Sequence, residues 1–175
     1  MPFAENIGLM EALTVRQLRP ADAETLLAFE RENREWFETH IEARPPAFYC
    51  LAGISAHIET YLDGLATGTW APFVLLDASG QMVGRANLKH IDTQRRCAEV
   101  GYRIARHACG QGLATRALEH LIEQARVRWG LRELVAFVYE ENVGSRKVLG
   151  RCGFTLAQPD ATGDAGPELR FTRAL

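Results

Sequence analysis

Residues 99 to 115 read Glu99-Val-Gly-Tyr-Arg-Ile-Ala-Arg-His-Ala-Cys-Gly-Gln-Gly-Leu-Ala-Thr115. The first part belongs to a predicted strand, and Leu113 begins a run of apolar residues at helical spacing that continues to Ala125. Between them, Gly110 and Gly112 allow positive φ angles and close approach of a ligand to the backbone. The free N–H groups at the start of the helix, together with its dipole, suit a phosphate group. The segment therefore predicts a strand, a loop and a helix, with an anion site at the loop.

Two common phosphate-binding motifs do not fit this loop. A dinucleotide fingerprint would need glycine where Thr115 stands, and an acidic residue at the end of the next strand, whereas Glu133 begins that strand. A P-loop would need a Gly-Lys-Ser/Thr sequence, which is absent. The residues alone leave two interpretations open: a pyrophosphate held by backbone amides without magnesium, or a loop that only turns the chain.

The rest of the chain predicts one mixed α/β (α+β) domain over residues 13–175, preceded by a flexible leader at 1–12. The strand–helix–strand run from 98 to 138 should form a right-handed crossover. We expect a central mixed sheet of six to seven strands flanked by helices. Strands are predicted at 13–18, 70–76, 82–90, 98–104, 134–138, 154–157 and 169–172, and helices at 22–37, 55–67, 113–125 and 145–152.

Composition excludes several classes of protein. The chain has 175 residues, a prior of about one domain, and a net charge of −2, which argues against binding to a nucleic-acid backbone. No apolar run approaches the ~18 residues of a membrane helix. Residues 1–10 contain no Lys or Arg, so we predict no signal peptide and a cytoplasmic location. The four cysteines lack zinc-site spacing, so we expect reduced thiols and no metal.

Two motifs resemble those of the GNAT superfamily of N-acetyltransferases. Residues 98–125 are similar to motif A of the family, and Glu141-Asn-Val-Gly-Ser-Arg-Lys-Val-Leu-Gly-Arg-Cys-Gly-Phe154 resembles its later Asn-x-x-Ser…Gly-Phe motif. Both are typical of the branch that contains the RimJ and RimL ribosomal-protein N-acetyltransferases, and the resemblance covers about residues 13–173. It implies the GNAT fold, a sheet splayed between strands 98–104 and 134–138, and acetyl-CoA as the cofactor.

The resemblance also implies which residues hold acetyl-CoA. The backbone at Arg103 and Ile104 should pair with the pantetheine arm, which fills the gap in the sheet as a false strand. A backbone N–H near Ile104 should stabilise charge on the acetyl carbonyl. Asn142 should bond the arm or a water beside it, and Lys147 should meet the CoA phosphates. The pyrophosphate should be held by the loop and the first helical turn: Gly110, Gln111, Gly112, Leu113, Ala114 and Thr115.

Cys109 is a departure from the family pattern within this cofactor site. The family usually has Gln or Arg at this position, so one donor to the pyrophosphate is lost, and Arg106 is a possible substitute. A thiol beside a helix N-terminus is expected to have a lowered pKa. We interpret the cysteine as incidental rather than as a nucleophile, because no His–Asp pair is evident to activate it.

Glu99 and Ser145 are the candidate catalytic residues. Acyl transfer needs a neutral amine, and near pH 7.5 about a third of an α-amine but only ~0.1% of a lysine is neutral. The family often has Glu at the position of Glu99, which could accept the proton through water; the alternatives are an exposed residue or a partner of Arg16 or Arg103. Ser145 falls where the family places a hydroxyl near the thioester sulfur; the alternative is a helix N-cap, a role open also to Asn142.

The acceptor is less defined by the sequence. In the family, the segment with Trp36 and Phe37 helps to wall the acceptor pocket, and Tyr139 could line it; for all three, core packing is the alternative. The resemblance favours a protein N-terminal α-amine, such as that of a ribosomal protein. A polyamine or aminoglycoside is the first alternative, and a non-catalytic acyl-CoA-binding regulatory module is the second; either a monomer or a homodimer is compatible. A cationic acceptor predicts an acidic pocket, for which the candidates are Glu32, Glu35 and Glu38.

Overall fold

The computed structural model describes residues 13–158 and 166–175. Within these ranges, seven strands form one sheet in the order β1-β2-β3-β4-β5-β7-β6. The β4–β5 pair is parallel and every other neighbouring pair is antiparallel. The strands are β1 (Thr14–Gln17), β2 (Ala71–Leu76), β3 (Met82–Asp92), β4 (Cys97–Ile104), β5 (Glu133–Tyr139), β6 (Thr155–Leu156) and β7 (Glu168–Ala174).

Helices cover both faces of the sheet. On one face, Arg85 of β3 contacts Glu30 of α1; on the other, the Phe73 ring of β2 lies 4.6 Å from the ring of His120 in α4. The mixed sheet between helical layers confirms the predicted fold class. The helices are α1 (Ala23–Glu32), α2 (Arg34–Glu38), α3 (Leu51–Ala66), α4 (Leu113–Val127) and α5 (Val143–Arg151).

Helix α4 is the crossover between the parallel strands β4 and β5. One face of it is fully apolar, and each large side chain buried there contributes about 1.5–3 kcal/mol. Gly130, at φ +59°, turns the chain back toward β5 after the helix ends. The buried residues match the predicted helical spacing: Leu113, Ala117, Leu118, Leu121, Ile122 and Ala125.

The parallel pairing of β4 and β5 stops halfway along the strands. Their residues pair from Cys97 with Glu133 to Val100 with Ala136. Beyond this point β4 continues beside β3 alone, and β5 continues beside β7 alone. The sheet is therefore splayed, as the family resemblance implied, and residues 101–104 present a strand edge to the gap.

The largest differences between the predicted and the observed helices are in two places, and the other helix ends agree within two residues. The helix predicted across 22–37 is broken at Asn33, whose buried side chain donates to the Phe29 carbonyl and accepts the Arg106 N–H. The second difference is that α3 begins four residues before the predicted cap at Ser55. Its actual N-cap is Cys50, whose sulfur accepts the Gly53 N–H, and cysteine is not a residue that signals a helix start.

The leader predicted at 1–12 and most of the connection between β6 and β7 lie outside the described residues. In the part of the chain that is described, none of the helices combines the length and the apolar character that a membrane span requires.

Candidate active site

A cavity of about 1020 Å³ opens at the gap between β4 and β5. It extends from the N-terminus of α4 to α2 and α3. It is lined by all of the candidate site residues named above except Arg106, Gln111 and the three acids Glu32, Glu35 and Glu38. The Gln111 amide instead donates to the His107 carbonyl at 3.5 Å. The fold thus brings residues from 36 to 147 around one space, while the role of each remains a prediction.

The loop before α4 has the geometry of an anion cradle. Gly110 and Gly112 both have φ +77°, and a Cβ atom placed on either would meet nothing within 4 Å. Among the described residues no side chain caps α4, so the N–H groups of its first turn at Leu113, Ala114 and Thr115 have no intrahelical or capping partner there. These features leave room and donors for a phosphate group at the backbone.

The edge of β4 presents alternate peptide groups to the gap. The Ala105 N–H donates to the Val83 carbonyl at 2.8 Å, which makes Ile104 and its partner Gly84 a non-bonded pair of the β3–β4 ladder. The peptide groups of Ile104 and Tyr102 therefore point toward β5, whereas those of Arg103 point toward β3. Of the two residues expected to pair with pantetheine, the structure leaves Ile104 available in the gap and turns the Arg103 backbone away.

Trp36 already occupies one of these peptide groups, the Ile104 carbonyl. Its indole Nε1 donates to the Ile104 carbonyl at 3.3 Å, so α2 is tied to the end of β4. The Ile104 N–H has no partner within the described part of the chain, so it is available to an acetyl carbonyl.

Cys109 does not behave as predicted. Its thiol donates to the Ala105 carbonyl at 3.4 Å, and burial raises its pKa above the ordinary value. The expectation of a lowered pKa is wrong because α4 begins only at Leu113, and the thiol points back to β4 rather than toward the helix N-terminus. Arg106 does not line the cavity; its guanidinium lies 5.9 Å from the ring of Trp36.

Glu99 lies in the cavity wall with its side chain 20% exposed. Its carboxylate is 2.6 Å from the Lys89 ammonium and 3.7 Å from Nε2 of His90. The alternative partners considered from the sequence are wrong, because Arg16 pairs with Asp22 and Arg103 pairs with Glu30. Glu99 thus keeps a place where it can reach a water in the cavity.

Ser145 is held by two contacts of different kinds. Its N–H donates to Oδ1 of Asn142 at 3.1 Å, so Asn142 is the N-cap of α5 and the serine hydroxyl is not needed for capping. The hydroxyl lies 2.9 Å from the phenol oxygen of Tyr102, whose pKa burial raises to about 12. Tyr102 is protonated at neutral pH and holds Ser145 in the cavity wall. Sequence reasoning missed Tyr102 because the contact joins residues 43 positions apart.

The far end of the cavity is walled by aromatic side chains. Trp36 is half-buried, whereas Phe37 is only 5% exposed and also packs on Phe29 at 5.3 Å between ring centroids, so it is both wall and core. Tyr61 and Trp70 add a second wall, with ring centroids 4.6 Å apart. No motif marked these two residues, since they come from α3 and the loop before β2.

Comparison with known proteins identifies the family. The family model of the acetyltransferase (GNAT) domain matches residues 12–155. The chain belongs to the GNAT family of N-acetyltransferases.

Similar GNAT proteins span most of this chain. The Bacillus subtilis protein named "Probable N-acetyltransferase YjcK" is 29% identical over 146 residues, which are 82% of this chain and 81% of that protein. The ribosomal-protein-S5-alanine acetyltransferase of Vibrio fischeri superposes with a TM-score of 0.83 at 20% identity, covering 93% of both chains. RimL, a ribosomal L7/L12 α-N-protein acetyltransferase solved with coenzyme A, also has a TM-score of 0.83, at 19% identity and 94% coverage of both. At these identities the two structures show the shared fold.

GNAT acetyltransferases use acetyl-CoA, and this site has the features that such a cofactor needs. The glycine loop leaves open space above free amides, and the splayed edge of β4 offers Ile104 and Tyr102 as backbone partners. The cavity volume of about 1020 Å³ is ample for an extended ligand and an acceptor together. The residues present fit the cofactor of the family.

The acceptor end contains a charged cluster that the sequence did not reveal. Glu30, 1% exposed, receives Arg85 Nη1 at 2.7 Å and Arg103 Nη1 at 3.1 Å. The second terminal nitrogen of Arg85 lies 2.9 Å from Nε2 of His57. The members come from α1, α3, β3 and β4, so only the tertiary fold places them together.

Proposed function

We propose that this GNAT enzyme transfers the acetyl group of acetyl-CoA directly to a primary amine, and that the amine is the N-terminal α-amine of a protein. The observation that carries the proposal is the gap between β4 and β5, which joins an amide cradle at α4 to an aromatic-walled space at α2. A thioester held along the gap would meet an amine entering from the aromatic end.

The cofactor half of the site would act through backbone groups. The N–H groups at Gly110, Gly112 and the first turn of α4 would hold the pyrophosphate, with Lys147 near the remaining phosphate charge. The Asn142 carbonyl oxygen is used in capping, which leaves its Nδ2 as the donor to the pantetheine arm. The Ile104 N–H would stabilise negative charge as it develops on the acetyl carbonyl oxygen.

The proton steps would involve Glu99 and Ser145. As the amine attacks, a water held by the Glu99 carboxylate would accept its proton. The Ser145 hydroxyl, positioned by Tyr102 at 2.9 Å, would give a proton to the leaving thiolate. The amine gains one carbon–nitrogen bond, and the thioester loses its carbon–sulfur bond.

Two arguments support an α-amine acceptor. Its neutral fraction near pH 7.5 exceeds that of lysine by more than a hundredfold, so less is demanded of the base. The two similar structures reported above are named as acetyltransferases of ribosomal proteins. In addition, none of Glu32, Glu35 and Glu38, the acids predicted to form a pocket for a polyamine or aminoglycoside, lines the cavity.

The test is a free-thiol assay of CoA release across a panel of acceptors. The panel contains peptides that begin with Ala or Ser, the same peptides with a blocked N-terminus and an internal lysine, polyamines and aminoglycosides. Release that requires the free N-terminus supports the proposal. Release only with polyamines or aminoglycosides replaces it with small-molecule acetylation.

A further inference from the structure

The acceptor end of the cavity carries more positive than negative charge. Arg44, Arg85 and Arg103 surround the carboxylate of Glu30. Each carboxylate oxygen already receives one guanidinium, from Arg85 and from Arg103. Burial alone would raise the pKa of Glu30, but the arginines outweigh it and the pKa falls below its usual value. Glu30 is therefore ionised. Each of its carboxylate oxygens already accepts a guanidinium hydrogen bond, and three cations surround it.

His57 adds no compensating charge. It lies 2.9 Å from Nη2 of Arg85, and burial with this arginine lowers its pKa to about 2. The ring is therefore neutral at physiological pH and accepts a hydrogen bond at Nε2. Burial lowers the pKa of Arg103 to about 10, so this guanidinium stays protonated as well. Two of the three positive charges have no counter-charge within the cluster.

Two of the three arginines face the cavity. Arg44 and Arg103 both line it. Among residues 13–158 and 166–175, Nε of Arg44 is buried and lacks a hydrogen-bond partner, although its guanidinium packs 4.4 Å from the Phe48 ring. Arg103 uses only Nη1 on Glu30 and keeps 20% of its side chain exposed. Among the described residues no hydrogen bond or ion pair engages the Arg44 guanidinium, so its terminal nitrogens can bind a ligand that enters the cavity.

The acids near this end do not neutralise it. Glu38 is bonded to Arg34 at 2.9 Å, and Glu99 to Lys89 at 2.6 Å. The remaining acids of the cavity wall, Glu141 and Glu168, come from the far side of the gap, beyond β5. The wall contributed by α2, the loop after it, α3 and the loop before β2 contains no acidic residue: Trp36, Phe37, His40, Ile41, Arg44, Tyr61 and Trp70.

We propose that the acceptor carries a carboxylate group close to its amine, and that Arg44 and Arg103 bind this anion. The proposal rests on the acetyltransferase function and names its substrate class. Charge-assisted hydrogen bonds from guanidinium to an oxyanion are among the strong ones in proteins. The same positive charges disfavour the ammonium form of the amine and so favour the neutral nucleophile. A polyamine, with further cations, would be repelled.

Binding of matched acceptors to the complex of the protein with CoA tests this proposal. The peptide pair is Ser-Glu-Ala-Ala-amide and Ser-Gln-Ala-Ala-amide; the small-molecule pair is β-alanine and propylamine. Isothermal titration should show that the carboxylate member of at least one pair binds about tenfold tighter at low salt. A preference for the carboxylate in the peptide pair alone indicates a peptide acceptor, and a preference in the small-molecule pair alone indicates a small acceptor. The ratio should shrink in 0.5 M salt, since screening weakens ion pairs.

Two variants separate a direct contact from general charge. Arg44→Gln should reduce the tenfold ratio to about twofold or less, and Arg44→Lys should restore part of it. The matched control Arg95→Gln removes the same charge from an 84% exposed side chain outside the cavity, and should keep the ratio. Equal affinity within both pairs, or an equal effect of Arg44→Gln and Arg95→Gln, overturns the proposal. Charge preference without turnover of any peptide would instead reject the N-terminal acceptor alone.

Discussion

The end of the cavity at α4 is built from backbone, whereas the end at α2 and α3 is built from side chains. At α4, two glycines and a turn of amides make the cradle, and few side-chain contacts are needed to shape it. At the other end, aromatic rings and a buried ion cluster set the shape and the charge. The difference suggests that a backbone cradle can be kept for one shared cofactor while the side chains opposite are changed for each acceptor.

The largest expected effect comes from removing the buried carboxylate of Glu30, which pairs with arginines at the acceptor end. Glu30→Gln should lower the free energy of unfolding by about 3–5 kcal/mol, because it leaves buried guanidinium groups of Arg85 and Arg103 without their counter-charge. Urea denaturation at pH 7 measures this. The control is Glu38→Gln, which removes an exposed pair with Arg34 four residues earlier on α2 and should change the free energy of unfolding far less. Similar losses in the two variants would show that the cluster does not stabilise the fold.

Gly112→Val should break the cofactor end without touching the acceptor end. The valine side chain would fill the open space above the amides, and we expect acetyl-CoA to bind at least 100-fold more weakly in isothermal titration. The strain of a non-glycine residue at φ +77° costs on the order of 1–3 kcal/mol by itself. Gly80→Val is the matched control, because Gly80 has φ +82°, also faces open space, and lies in the β2–β3 turn away from the cavity. Equal loss of affinity in both would reject the cradle.

The same contrast explains what the sequence could and could not predict. The cradle and its strand lie within residues 99–115, so the spacing of residues along the chain was enough to predict the glycine loop and the start of α4. The contact of Glu30 with Arg85 joins residues 55 positions apart, and that with Arg103 spans 73. The spacing of apolar residues within one strand or helix carries no information about contacts between residues so far apart in the chain. The predicted lowering of the Cys109 pKa was wrong for a related reason, since the direction of its thiol depends on how the loop folds against β4.

Glu99 lies in the wall of the same cavity, and its substitution should separate chemistry from binding. Glu99→Gln is expected to lower kcat about 10- to 100-fold near pH 7, because the amine proton loses its acceptor, while the Kd of acetyl-CoA changes less than twofold. Steady-state rates across pH 6 to 9 with one acceptor measure this. Glu59→Gln, on the exposed side of α3, is the charge-matched control. A pH profile of kcat that keeps its shape in Glu99→Gln would exclude this residue as the base.

The smallest expected effect comes from His57, and it tests whether the acceptor end holds a neutral imidazole. The folded-state pKa is about 2, whereas an unfolded histidine titrates near pH 6.5, so only the unfolded chain gains this proton between those values. Stability should therefore fall as the pH drops below about 6.5, with a limiting slope of about 1.4 kcal/mol per pH unit. Glu30 acts in a separate window: its lowered pKa gives stability that is lost only as the pH falls below about 4.3.

Urea titrations at pH 7.5, 6.5, 5.5 and 5.0 measure the slope that His57 contributes. His57→Gln keeps an acceptor for Arg85 but cannot take up a proton, so its stability should depend on pH less steeply than that of the unsubstituted protein. His107→Gln, at an exposed position outside the cluster, is the matched control. If His57→Gln kept the original slope, His57 would take up its proton in the folded protein as it does in the unfolded chain, and it would be charged below about pH 6.5. The acceptor end would then hold still more positive charge, which would sharpen its contrast with the backbone cradle at α4.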